Sequence, residues 1–226
     1  MFSYVINNPN NFVIKNDYVV IPFGYSCCSA LSCKYANIRK FSLPFDWTVP
    51  LYPNIIQKVL ENNLEDFVPD VHNGNFYNKY GVLLAHFDPD IDNGVEQYKR
   101  RIDRFIDIIN QPKKIYFVYI IEHYLYDNSY RQDELNDNIF NEMLELEKFI
   151  TNKYINIDYN ILYFSFKHHN IPTNSNIINI VLHSTNLYDT HDSSPYEDFR
   201  NYCGKILTEL FNTNLTLEID VNLYNN

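Results

Sequence analysis

The hydrophobic pattern along this chain alternates between two periods. Residues 17–23 (DYVVIPF) form a short apolar run closed by Gly24, as in a buried strand. Residues 26–35 follow at once and predict a helix with Ser26 as its N-cap. Between residues 41 and 53 (FSLPFDWTVPLYP), three prolines forbid regular structure, while the aromatic residues supply anchors. Residues 54–62 carry Ile55, Ile56, Val59 and Leu60 at helical spacing. Residues 76–77 and 82–87 flank a turn and predict a hairpin, or one strand after a turn. Residues 94–109 put Val95, Tyr98, Ile102, Phe105, Ile106 and Ile109 on one helical face, and Pro112 stops the helix. Beyond it the pattern predicts strands over 114–121, 160–166 and 177–182. It also predicts helices over 134–153 and 195–211, with an edge strand over 213–220.

Strands that alternate with helices favour helices packed on both faces of a mostly parallel sheet. The expected fold is therefore a three-layer α/β/α, Rossmann-like single domain over residues 1–226, with a papain-like α+β fold as the alternative. A chain of 226 residues with 46% hydrophobic residues can bury a core without disulfides or metals. The polar stretches 66–75, 122–132 and 184–194 are the loops where function would sit.

Charge and cysteine usage narrow the classes. A net charge of −10 argues against nucleic acid or an anionic membrane as the main partner. The one basic cluster is Lys99, Arg100, Arg101 and Arg104. No stretch approaches the roughly 18 apolar residues of a membrane span, and the N-terminus has no signal-peptide pattern. The cysteines at 27, 28, 33 and 203 form neither a disulfide framework nor a paired metal-ligand set. A reducing, cytoplasmic setting is expected, with no metal and no cofactor.

One feature is chemically pointed. Gly24-Tyr25-Ser26-Cys27 sets a cysteine at a strand-to-helix turn. Unpaired N–H groups and the positive end of the helix dipole favour a thiolate there, and a thiolate is a good nucleophile. The bland role for Cys27 and Cys28 is to close the joint as small buried residues. Adjacent helical positions point about 100° apart, so one cysteine can face the turn, and Cys27 is the better candidate. A base would come from seven histidines. His86 closes a strand pattern at its carboxyl end, where open sheets build sites; His183 is its rival, and His123 also ends a strand. Asp46, held between Phe45 and Trp47, would orient an imidazole or satisfy loop N–H groups. Arg101 and Arg104, three apart on a helix, suit a carboxylate or phosphate, or else a solvated face. Ser26, Trp47, Arg101 and Arg104 are the expected substrate contacts.

The run from Val20 to Trp47 resembles the opening signature of the DUF1796 family of papain-like cysteine peptidases. The matching residues are Gly24, Cys27, Arg39, Lys40, Phe41, Pro44, Phe45, Asp46 and Trp47. His86-Phe87 and Arg101–Phe105 are similar to later features of that family, and the resemblance covers roughly residues 18–165. It implies Cys27 as nucleophile and His86 as its base, in a domain of bacterial or large-DNA-virus type; a viral chain would lie in host cytoplasm or virion.

Three functions follow as expectations. The first is a thiol hydrolase acting on a peptide, isopeptide or ester. The second is a glycan- or nucleotide-sugar-related transferase or ligand-binding protein that holds phosphate at the helix N-terminus. The third is a non-enzymatic interaction protein. Substrate and oligomeric state are open.

Overall fold

A computed structural model describes residues 3–7, 14–68, 76–85, 87, 94–121, 132–183 and 195–212. The elements run β1 (Ser3–Asn7), β2 (Tyr18–Pro22), α1 (Cys28–Tyr35), β3 (Thr48–Val49), α2 (Pro53–Glu61) and β4 (Leu83–Leu84). They continue α3 (Gly94–Ile109), β5 (Lys114–Ile120), α4 (Gln132–Lys153), β6 (Asp158–Ser165), β7 (Ile177–His183) and α5 (Pro195–Asn212).

The central sheet has the order β1-β7-β6-β5-β2. β2, β5, β6 and β7 are mutually parallel, and β1 adds antiparallel to β7 with Ser3 opposite His183. Strands buried on both faces must be apolar at successive positions, and these are. On β5, Ile115, Phe117 and Tyr119 face one core while Tyr116, Val118 and Ile120 face the other. The first core is closed by Ile56, Val59 and Leu60 of α2, Phe105 and Ile108 of α3, and Met143, Leu146 and Ile150 of α4. The second is closed by Cys28 and Cys33 of α1 and by Phe199, Cys203, Ile206 and Leu207 of α5. The fold is thus a three-layer α/β/α with a mostly parallel central sheet, rather than the papain-like α+β alternative.

Most predicted elements are present within two residues of their expected ends. The prolines of the 41–53 segment leave room only for β3, which pairs with β4 through Thr48↔Leu84 and Val49↔Leu83. The expected hairpin survives as a single bridge, Tyr77↔Leu83. The edge strand expected over 213–220 lies outside the described residues.

Among the described residues the parallel strands follow one another in chain order, with no strand-order reversal to open a crevice of the kind dinucleotides use. Instead α5 leaves the β7 side and returns across the sheet to pack on α1. That return positions the candidate site.

Candidate active site

The turn after β2 is built by close approach. A Cβ on Gly24 would lie 1.7 Å from Ser29 Oγ, so no larger residue fits without a shift. Ser29 Oγ in turn accepts the Ile120 N–H at 3.1 Å, which ties the first turn of α1 to the carboxyl end of β5. Ser26 is buried, and its Oγ accepts the Cys28 N–H at 3.1 Å. The helix begins one residue later than expected, with Cys27 at the N-cap, but the Ser26 hydroxyl still supplies the capping acceptor. Ser26 is therefore engaged with the backbone, and the amide following Cys27 already has a partner.

Cys27 is half-buried, whereas Cys28, Cys33 and Cys203 are sealed, and none of the four is in a disulfide. Burial pushes the Cys33 thiol up, Asp46 adds to that, and Arg39 opposes it. Cys27 has a different neighbour: Arg200 Nη2 of α5 lies 3.6 Å from its Sγ. Arg200 is held in place because its carbonyl accepts Ser32 Oγ of α1 at 3.0 Å. A guanidinium beside a sulfur at a helix N-terminus favours the ionised form. Between α1 and α5 lies an open groove of about 460 Å³ that includes Leu31, Lys34 and Arg200. No sequence motif marks Arg200; it stands among ordinary polar positions of α5, and only the helix return brings it to Cys27.

The expected base is not resolved by these contacts. His86 and His123 lie outside the described residues. His183 ends β7, exposed, with its ring 6.0 Å from that of His168. β7 is three strand spacings, roughly 14 Å, from β2. His169 is buried and stacked on Phe140 at 4.1 Å, and burial pushes its pKa down to about 4.

The remaining candidates gather elsewhere, around the 39–47 segment. Asp46 is fully sealed, and its Oδ2 accepts from Arg39 Nε at 3.1 Å, from Arg39 Nη2, and from the Leu43 N–H at 2.9 Å. Burial pushes its carboxyl up, against the pull of Arg39, the Leu43 amide and Arg101. Among the described residues it closes this loop and bonds to no imidazole. Trp47 lies under the Arg39 guanidinium at 5.7 Å. Arg104 donates to the Ser42 carbonyl at 2.7 Å, and Arg101 donates to Gln97 Oε1 at 2.7 Å while covering the Tyr98 ring at 4.7 Å. Arg104 braces α3 against the loop, while the contacts of Arg101 lie within α3 itself.

Among the described residues no group of three or more His, Cys, Asp or Glu could hold a metal ion, and no helix is long and apolar enough to cross a membrane. The chain matches no protein-family model, no curated protein and no solved structure.

Proposed function

We propose that the protein is a cysteine hydrolase in which Cys27 attacks a peptide, isopeptide or ester carbonyl. The observation that carries this reading is the Arg200 guanidinium 3.6 Å from a half-buried sulfur at the start of α1. The cation and the helix N-terminus both lower the free energy of the thiolate, the nucleophilic form. The sulfur would add to the carbonyl carbon, giving a tetrahedral oxyanion. Collapse would expel the amine or alcohol, which takes a proton from an imidazolium, and leave a thioester that water hydrolyses. His86 is the base implied by the family resemblance. Cysteines that form no disulfide suit a reducing, cytoplasmic setting, in host cytoplasm or virion for a viral chain.

The test is the pH dependence of iodoacetamide alkylation. Cys27 is expected to react with an apparent pKa below the ordinary free-thiol value of about 8.5. Arg200→Gln should raise it, and Cys27→Ala should remove the reaction. Titration at the ordinary value, unmoved by Arg200→Gln, would count decisively against a thiolate nucleophile.

A second reading is favoured by the groove itself. Lys34 of the last turn of α1 and Arg200 both line it, beside Glu197, which suits a phosphorylated ligand held by the two cationic side chains. Nucleotides or nucleotide sugars would then raise the melting temperature, and a Lys34→Gln variant would lose that shift.

A further inference from the structure

The groove between α1 and α5 starts beside the proposed nucleophile. Arg200, whose Nη2 lies 3.6 Å from Cys27 Sγ, is also one of its walls. Leu31, a second wall residue, donates its N–H to the Cys27 carbonyl at 2.9 Å and so follows Cys27 by one helical turn. Cys27, Leu31 and Lys34 are spaced four and three apart, which sets them in a row along one side of α1. α5 runs beside α1 in the same direction: the Arg200 carbonyl accepts from Ser32, and Gly204, further on, lies against Tyr35. Lys34 and Tyr35 therefore stand at the far end of the groove. At about 1.5 Å of helical rise per residue, that end is roughly 10 Å from Cys27.

Lys34 and Glu197 both line the groove and are exposed, and neither side chain makes an ion pair among the described residues. Glu197 thus does not neutralise Lys34 by contact. Two cations against one carboxylate leave the groove locally positive, on a chain whose net charge is −10. Leu31 and the half-exposed Tyr35 offer apolar surface, and the Asn201 amide can both donate to and accept from a peptide unit. Apolar walls, one amide partner and a cation at the far end suit an extended peptide that carries an acid; a basic peptide would meet like charges. We propose that the groove binds an acidic peptide as the substrate of the cysteine hydrolase reading, on which this inference rests, with an Asp or Glu carboxylate paired to Lys34. At about 3.3 Å per extended residue, that acid stands about three residues from the attacked carbonyl. Arg200 serves both ends, beside the sulfur and along the wall.

The test uses two pairs of alkylating peptides on the full chain. One pair is iodoacetyl-Gly-Gly-Asp-amide and its Asn counterpart; the other is acetyl-Asp-Gly-Gly chloromethyl ketone and its Asn counterpart. The two pairs run in opposite chain directions away from the sulfur. Second-order rates of Cys27 alkylation are read by mass spectrometry at low ionic strength. In at least one pair the acidic member is expected to react about two- to fivefold faster, the size of one exposed ion pair. Lys34→Gln should remove that advantage. Equal rates within both pairs, or an advantage that Lys34→Gln leaves intact, overturn the acidic-peptide assignment. Either result leaves the nucleophile standing so long as the iodoacetamide titration of Cys27 lies below the ordinary thiol value; a titration at that value overturns both.

Discussion

His169 shows how much of a side chain's energetics depends on its surroundings. The ring is stacked on Phe140 with an interplanar angle of 12°, and among the described residues Asp137 Oδ1 at 3.8 Å favours a charge on it. Burial dominates and holds the pKa at about 4; Asp137 opposes, while Lys167 and His168 reinforce. The unfolded chain, with an ordinary value of 6.5, binds the proton first. This residue's contribution is therefore complete above pH 6.5 and is lost as pH falls towards 4, by an amount on the order of 2–3 kcal/mol. Urea midpoints measured from pH 7 to pH 4 should fall, and His169→Gln should flatten that fall; an unaltered slope in the variant would refute the assignment. None of this was legible in the sequence, where His169 is one histidine among seven. The same holds for Arg200, because charge and residue type do not reveal which sulfur a guanidinium will reach.

At the scale of elements, the α1–α5 contact decides the site. Gly204 permits it: a Cβ there would lie 2.5 Å from Tyr35 Cδ1 and 2.9 Å from Tyr35 Cβ. Gly204→Ala should push the helices apart and destabilise the fold by about 1–3 kcal/mol, as overpacking does. Because Arg200 sits one turn earlier on α5, the alkylation pKa of Cys27 should also rise towards the ordinary thiol value. A variant with lowered stability but the wild-type titration would separate the packing from the site. The elements themselves were largely legible. The six apolar positions expected on one face of α3 proved a narrower set, since Ile106 is 39% exposed while Ile108, not among them, is buried. The strand β1 was missed, since five residues with Tyr4, Val5 and Ile6 carry too little pattern to stand out without a neighbour.

At the scale of the whole molecule, β1 covers the open edge of β7 along five paired positions. Such an edge otherwise presents a row of unpaired backbone groups. Removing residues 1–7 should lower the denaturation midpoint and promote self-association, read by size-exclusion chromatography against concentration. A truncated chain that stays monomeric with an unchanged midpoint would show that β1 protects nothing.

The two periods of hydrophobicity were enough to determine the layered class, because a strand apolar at successive positions must be covered on both faces and an amphipathic helix must cover something. The Gly-x-x-Cys joint was likewise readable, since local sterics and capping act within a few residues. Which cysteine is accessible, that Arg200 reaches it, and that Asp46, Arg101 and Arg104 gather around a separate loop were decided only in three dimensions. Those contacts join residues far apart in the chain, and their energies depend on how α5 returns over α1 and how α3 lies against the loop. No local pattern encodes such a distance.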